Sequence, residues 1–138
     1  TESIAEYENE QQAPVRGNGT VLVVDDEEVI RSNTEAMLKD LGYNVMTAEN
    51  GSQAMAVFSE KHSEIDLVIL DMVMPVMNGK ECFAAMKKIK PDLKVVIASG
   101  FVRDEDLEPL KAAGVKSFIH KPFRILTLSQ IVHETLNS

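Results

Sequence analysis

Polar side chains that could share one site follow four apolar segments of the chain. Asp25 and Asp26 follow TVLVV, Asp71 follows LVIL, Ser99 follows VVIA, and Lys121 follows SFIH. Two carboxylates about 4 Å apart repel each other by roughly 4 kcal/mol at an effective dielectric constant near 20, so such a group needs a cation. Carboxylate oxygens without Cys or His ligands favour Mg²⁺ or Mn²⁺, while Lys121 and Ser99 add a positive charge and a hydroxyl donor. Together these residue types suit a site that binds an oxyanion attached to one of the carboxylates.

Asp71 is the central member of this group. It follows four apolar residues, 67–70, which are typical of a strand buried on both faces. A buried unpaired charge costs several kcal/mol, so the strand should end at this carboxylate. Asp71 could instead cap the next helix, but Pro75 and Gly79 are turn residues that delay that helix. We predict a functional carboxylate at the carboxyl end of a central strand, where open α/β sheets place their ligand crevice.

Strand and helix patterns alternate along the chain. Apolar, β-branched runs predict strands at residues 20–24, 44–48, 66–70, 94–98 and 116–120. Apolar residues at helical spacing predict helices at residues 27–41, 51–62, 80–90, 104–113 and 124–136. Because Pro109 lies inside the fourth helix, we expect that helix to be short or to start late. The alternation predicts an α/β fold with a doubly wound, five-stranded parallel sheet in the order 2-1-3-4-5 and helices on both faces.

Length and composition limit the organisation of the chain. The 138 residues suit one domain at 20–138, preceded by a polar segment at 1–19 that we predict to be a linker or disordered tail. The net charge of -8 argues against nucleic-acid binding, which requires cationic side chains. No apolar run approaches the roughly 18 residues of a membrane span, so we expect no direct membrane contact. The single cysteine, Cys82, excludes an internal disulfide and agrees with a cytoplasmic location.

Four segments of the sequence resemble the receiver domains of bacterial two-component response regulators. They are VVDDE at 23–27, LDMVMPVMNG at 70–79, ASG at 98–100 and FIHKPF at 118–123. They occur in the order and at the spacings of that family. The resemblance implies the flavodoxin-like receiver fold and a phosphorelay function without enzymatic activity of its own. Such a domain takes a phosphoryl group from the phosphohistidine of a histidine kinase or a histidine phosphotransfer domain.

The resemblance implies a role for each acidic residue. Asp71 matches the phosphoacceptor of the family, and Asp25 and Asp26 match its acidic pair. Together with the backbone carbonyl of Val73, these three carboxylates are implied to bind Mg²⁺, with Mn²⁺ as an alternative. Glu27 follows the pair, and we interpret it as a residue of the first helical turn rather than a ligand.

The remaining motifs imply a switch. Lys121 matches the lysine that pairs with the phosphoacceptor and then with its phosphoryl group, and its bond to Pro122 is implied to be cis. Ser99 and Phe118 match the switch hydroxyl and the switch aromatic. The surface that changes is the face of the fourth helix, fifth strand and fifth helix. We expect a monomer or a weak dimer formed through that face.

Two further positions bear on the lifetime of the phosphoryl group. In receiver domains the side chains that orient hydrolytic water lie two residues after the phosphoacceptor and two after the switch hydroxyl. Here those residues are Val73 and Phe101, which cannot form side-chain hydrogen bonds. The resemblance therefore implies slow self-dephosphorylation.

Other functions fit these residues less well. Haloacid-dehalogenase-type phosphatases have an Asp-x-Asp motif that starts at the phosphorylated residue. In this chain the position of the second Asp is occupied by Val73. A Rossmann nucleotide binder needs a Gly-rich turn after the first strand, where this chain has acidic residues instead. An unphosphorylated pseudo-receiver that only binds partners remains an alternative, although the complete acidic set and Lys121 argue against it.

The context of the domain is open between two arrangements. The chain could be the C-terminal receiver of a hybrid histidine kinase or a stand-alone single-domain response regulator. We favour the hybrid kinase because the sequence starts at Thr1 rather than Met and has a long polar lead-in. In that case the catalytic part of the kinase lies outside this chain.

Overall fold

The computed structural model of the chain describes residues 13–100 and 103–138, in which strands and helices alternate as predicted. The strands are β1 Thr20–Val24, β2 Asn44–Ala48, β3 Leu67–Asp71, β4 Val95–Ser99 and β5 Ser117–His120. The helices are α1 Glu28–Asp40, α2 Gly51–Lys61, α3 Gly79–Ile89, α4 Asp104–Ala112 and α5 Ile125–Leu136. Predicted and observed ends differ by no more than one residue. Helix α4 is short, at 9 residues, but it starts at Asp104 as predicted, with Pro109 inside it.

The five strands form one parallel sheet in the order β2-β1-β3-β4-β5, which confirms the predicted topology. All carboxyl ends of parallel strands lie at the same edge. Strands β1 and β3 are neighbours, and Val24 pairs with Leu70 in their register. Asp25, directly after β1, and Asp71, the last residue of β3, therefore lie side by side at this edge. The sheet brings together carboxylates that are far apart in the sequence.

The sheet separates two apolar cores. Helices α2, α3 and α4 cover one face through buried side chains that include Phe58, Phe83, Met86 and Leu110. Helices α1 and α5 cover the other face through Leu38, Leu41, Leu128 and Val132. Burial of each such side chain contributes about 1.5–3 kcal/mol. Every residue of β3 is buried, so the strand that carries Asp71 is held firmly from both sides.

The loop between β3 and α3 is held at both ends. At the start of α3, Asn78 forms a capping box in which its side chain accepts a hydrogen bond from the Glu81 N–H at 2.9 Å. The N–H of Gly79 donates to the Met72 carbonyl at 3.0 Å. A Cβ atom on Gly79 would approach the Asp71 carbonyl oxygen to 2.5 Å, so this close packing requires glycine. The loop therefore keeps a defined position beside Asp71.

The segment before β1 contacts the domain where the structure describes it. The N–H of Val15 donates to Ser129 Oγ at 3.0 Å, and the N–H of Gly17 donates to the Leu41 carbonyl at 2.9 Å. Residues 1–12 of the predicted linker lie outside the described residues. No helix within the described ranges is long and apolar enough to cross a membrane.

Candidate functional site

Three carboxylates meet at the carboxyl edge of the sheet. Asp25 and Asp26 follow β1, and Asp71 is the last residue of β3. One oxygen of each carboxylate lies within 4.8 Å of the others. Asp25 and Asp71 are buried, with exposed fractions of 3% and 4%, whereas Asp26 is exposed. The structure therefore brings the predicted acidic residues into one cluster that opens to solvent at Asp26.

Lys121 extends into this cluster from the end of β5. Its Nζ lies 2.8 Å from Asp25 Oδ2 and 3.2 Å from Asp71 Oδ1. Its backbone N–H donates to the Ser99 carbonyl at 2.7 Å, and the peptide bond that follows it is cis, as predicted. The side chain of Lys121 is 9% exposed, so both ion pairs are largely shielded from water. Such shielded pairs interact more strongly than pairs on the surface.

Glu27 also reaches Lys121, a contact that the sequence did not predict. Its Oε1 lies 3.5 Å from Lys121 Nζ, and its backbone occupies the N-cap position of α1. The only signal in the sequence was its position directly after the acidic pair. Glu27 adds a fourth carboxylate near a single ammonium group, which leaves this part of the site with an excess of negative charge.

Hydrogen bonds fix the two buried carboxylates. The N–H of Glu27 donates to Asp25 Oδ1 at 2.9 Å, and Arg31 donates from its guanidinium to the Asp25 carbonyl at 2.9 Å. The N–H of Val73 donates to Asp71 Oδ1 at 3.4 Å. The donors to the two carboxylates are the backbone N–H groups of Glu27 and Val73, so the carboxylates are oriented before any ligand arrives, and Arg31 holds the backbone carbonyl of Asp25.

Burial and neighbouring charges shift the pKa values of Asp71 and Lys121. Burial, followed by the nearby charge of Asp25, raises the pKa of Asp71 to about 7, although Lys121 acts in the opposite direction. Burial lowers the pKa of Lys121, but its hydrogen bonds and ion pairs with Asp25 and Asp71 outweigh this, and the net shift is upward. The environment therefore disfavours a second buried negative charge unless another cation is present.

The donor set can hold such a cation. Asp25, Asp26 and Asp71 each offer one oxygen at mutually compatible distances. Oxygen ligands of this kind suit hard divalent ions, and a cation beside Asp71 would oppose the effects of burial and of the Asp25 charge, which raise the pKa of Asp71. The carboxylate cluster thus fits a metal ion on the chemistry of its ligands.

Comparison with known proteins assigns the family. The family described as response regulator receiver domain matches residues 21–133. The chain belongs to this family. Receiver domains are generally non-catalytic signalling domains of two-component systems.

Relatives of this receiver domain occur in two protein contexts. The sensor kinase CckA of Brucella abortus is 34% identical over 127 residues, which cover 92% of this chain but 13% of the kinase. The chemotaxis protein CheY of Bacillus subtilis is 33% identical over 118 residues, which cover 85% of this chain and 97% of CheY. The receiver thus spans a small part of the kinase and nearly all of CheY.

Solved structures confirm the receiver fold. A receiver domain protein from Clostridium thermocellum superimposes with a TM-score of 0.82 at 30% identity, covering 86% of this chain and 94% of the other. CheY of Borrelia burgdorferi, in its complex with CheX, BeF3 and Mg, gives a TM-score of 0.80 at 26% identity, covering 84% and 87%.

Ser99 and Phe118, the predicted switch residues of this receiver domain, lie on neighbouring strands. Ser99 is buried at the end of β4, one residue beyond Ala98, which pairs with Asp71. Phe118 is half-buried against the core of α2, α3 and α4, and Lys111 Nζ lies 5.8 Å from its ring centroid. The structure places Ser99 beside the acidic cluster and Phe118 farther along the sheet.

Val73 and Phe101 are the two residues predicted to limit water access, and the structure describes only Val73. Val73 lies in the loop after β3, and its side chain is 67% exposed. Phe101 lies outside the described residues. The structure thus places only Val73 next to Asp71, through the bond from its N–H to Asp71 Oδ1, and the role of both residues in water access stays a prediction.

Proposed function

We propose that this receiver domain accepts a phosphoryl group on Asp71 from the phosphohistidine of a histidine kinase or a histidine phosphotransfer domain. The observation that carries the proposal is the contact of Asp71 with Lys121 at 3.2 Å inside a cluster of carboxylates. A buried carboxylate beside a shielded ammonium is a nucleophile with a positive charge ready for the incoming oxygens.

The transfer makes one bond and breaks another. An oxygen of Asp71 forms a bond to phosphorus, the phosphorus–nitrogen bond of the donor breaks, and its electron pair remains on the imidazole nitrogen. The Lys121 ammonium stabilises the negative charge of the phosphoryl oxygens, and the Ser99 hydroxyl donates a hydrogen bond to one of them. Asp25, Asp26, Asp71 and the Val73 carbonyl would hold Mg²⁺, which neutralises charge when bound.

Phosphorylation of Asp71 is tested with a small donor. Acetyl phosphate in the presence of Mg²⁺ should add the mass of one phosphoryl group, stable in acid and labile in base. Asp71→Asn should abolish this mass shift, whereas Asp92→Asn, a control on the exposed loop before β4, should leave it unchanged. A receiver that takes up no phosphoryl group would support the pseudo-receiver alternative, and uptake by Asp71→Asn would contradict our assignment.

Metal binding is tested separately by calorimetric titration with Mg²⁺. Asp26→Asn should abolish measurable binding, because Asp26 supplies the exposed oxygen of the cluster. Asp25→Asn should weaken binding by about tenfold, because Asp25 also pairs with Lys121. Unchanged affinity in both variants would remove the metal assignment.

We further propose that the domain belongs to a hybrid histidine kinase. The support is its 34% identity to two types of sensor kinase, CckA and the LuxN of Vibrio harveyi, of which this chain spans 13% and 14%. The alternative is a stand-alone regulator, which its similarity to Bacillus subtilis CheY supports. The length of the gene's reading frame distinguishes them, because only a hybrid kinase has a kinase core upstream.

A further inference from the structure

A groove runs between helices α3 and α4, and one end of it adjoins the loop that carries Val73 beside the proposed phosphorylation site. The end of the groove near Lys87 and Ala113, which we call the lower cavity, has a volume of about 340 Å³. The apolar lining of this cavity comes from Phe83, Ala84, Pro109, Leu110 and Ala113. A second cavity of about 500 Å³ shares Lys80 and Pro109 with it and reaches the loop after β3. We call the combined concavity the α3–α4 groove.

The charge of the lower cavity is opposite to that of the whole chain. The net charge is -8, yet the charged side chains among the described residues that line this cavity are all lysines: Lys80, Lys87 and Lys88. With Ala84, they follow the spacing i, i+4, i+7, i+8 and share one face of α3. The cavity therefore combines an apolar floor with a cationic rim.

One lysine of the rim also interacts with the floor. The ammonium of Lys87 lies 5.4 Å from the ring centroid of Phe83. Lys87 and Phe83 thus approach each other across the boundary between rim and floor. A carboxylate bound at the rim would pair with an ammonium that already lies close to the apolar cavity.

Acidic side chains line the upper part of the groove. Glu105 and Asp106 lie there together with Lys80 and Pro109. The cationic character of the groove is therefore confined to its lower cavity, where Lys80, Lys87 and Lys88 form the rim.

We propose that the α3–α4 groove binds an acidic amphipathic helix of a partner protein. A helix laid between two helices can place apolar side chains from successive turns into the cavity, and flanking glutamates can reach the lysine rim. Charge complementarity selects an acidic partner, because the lower cavity of the groove is a cationic region on an anionic protein. This interaction goes beyond phosphotransfer and does not require a phosphoryl group on Asp71.

Binding is tested with the unphosphorylated chain and a designed probe. The probe is a fluorescein-labelled peptide of about 18 residues, long enough to form a helix, with leucines on one face and glutamates beside them. Fluorescence anisotropy should give a Kd on the order of 10–100 µM, typical of a transient contact, and the affinity should fall as NaCl increases. A peptide with lysine at every glutamate should not bind. No saturable binding of the acidic peptide, or equal binding of the basic one, would overturn the proposal.

Substitutions locate the binding surface. Lys80→Glu with Lys88→Glu should weaken binding at least about tenfold, because the rim becomes repulsive. Lys39→Glu with Lys61→Glu changes the net charge equally on α1 and α2, and should change the Kd less than about twofold. Equal losses in the two double variants would show only a general charge effect and would overturn the assignment to the groove.

A second pair of variants tests the apolar floor. Ala84→Lys keeps the rim cationic but fills the cavity, and should also weaken binding about tenfold, whereas Ala112→Lys on the exposed surface of α4 should not. Both alanines are exposed, so the fold should persist, which circular dichroism and amide spectra will check. Unchanged affinity in Ala84→Lys would contradict insertion of side chains into the cavity.

Discussion

The ammonium of Lys121 lies closer to Asp25, at 2.8 Å, than to Asp71, at 3.2 Å. The lysine therefore bridges the two buried carboxylates, and the exposed carboxylate of Glu27 approaches it from outside at 3.5 Å. In the protein without metal, this bridge is the main compensation for two buried negative charges. Loss of the Lys121 ammonium would leave both buried carboxylates uncompensated, which is strongly destabilising.

We predict that Lys121→Gln lowers the free energy of unfolding by about 2–4 kcal/mol at pH 8 in EDTA. Urea denaturation measures this difference, and Lys88→Gln on the exposed face of α3 should change stability by less than about 0.5 kcal/mol. Millimolar Mg²⁺ should restore part of the loss, because a bound cation replaces the missing positive charge. An equal loss with and without Mg²⁺ would show that the lysine acts through packing rather than charge.

Asp71→Asn, unlike Lys121→Gln, should raise the free energy of unfolding. The Asp71 pKa is raised from about 3.8 to about 7 on folding, so metal-free wild-type protein loses stability as the pH rises through this interval. Asparagine cannot ionise and avoids this loss. In EDTA the variant should exceed wild type by about 1–3 kcal/mol at pH 8, allowing for solvent screening at the edge of the sheet.

The stability advantage of Asp71→Asn should decrease towards pH 4, where Asp71 is protonated in the folded protein. Thermal or urea denaturation from pH 4 to pH 8 measures this change. Asp92→Asn is the matched control and should show no such trend, because Asp92 is exposed. A difference between Asp71→Asn and wild type that does not depend on pH would contradict the raised pKa.

A phosphoryl mimic should change the sheet beyond its binding site. When beryllofluoride binds Asp71, its acceptors attract the buried hydroxyl of Ser99, and the space that is vacated can admit the half-buried ring of Phe118. A charge-assisted hydrogen bond can supply the few kcal/mol that such a shift in population requires. Amide shifts in the presence of Mg²⁺ should therefore concentrate between residues 99 and 118.

Two variants test that switch. Ser99→Ala should leave beryllofluoride binding in place but reduce the amide shifts near Phe118 at least about twofold, because the connecting hydrogen bond is lost. Ser59→Ala, on the exposed surface of α2, is the control and should not change them. A response confined to residues that contact the ligand would contradict a role for Ser99 and Phe118.

The sheet and its site could be predicted because a buried strand tolerates few charges. Strand β1 ends at Val24, directly before Asp25, as its apolar run indicated. Strand β3 extends one residue farther than predicted and includes Asp71. The backbone of Asp71 pairs with Ala98 of β4, and its carboxylate contacts the Lys121 ammonium; neither contact between distant residues can be derived from an apolar run.

Other features depend on side-chain torsions and helix packing, which periodicity does not determine. The contact between Glu27 and Lys121 arises from the orientation of one exposed side chain. The backbone N–H of Val15 donates to Ser129, far away in the sequence, and the polar composition before β1 does not predict this contact. The α3–α4 groove likewise requires the relative placement of two helices, although the lysine spacing on α3 was visible in the sequence.

The position of Val73 leads to a prediction about the lifetime of the phosphoryl group. Its N–H donates to Asp71 Oδ1 at 3.4 Å, and the residue is 67% exposed, so Val73 lies next to Asp71 and is open to solvent. Hydrolysis needs a water molecule in line with the phosphorus–oxygen bond, and a polar side chain at this point can orient one. Valine has no hydrogen-bonding group, so we predict slow self-dephosphorylation, with signal termination left to a partner or to back-transfer to histidine.

Val73→Asn should accelerate the decay of phosphorylated protein by about tenfold in excess Mg²⁺, because an amide can position the attacking water. The measurement follows the loss of the phosphoryl group by mass spectrometry after the donor is removed. Val76→Asn makes the same substitution in the same loop at a side chain that is 97% exposed, and should leave the decay rate unchanged. Combining Val73→Asn with Phe101→Glu should give the fastest decay, because both predicted water-orienting positions then carry polar groups. A double variant that decays at the wild-type rate would show that these positions do not control the access of water to the phosphoryl group.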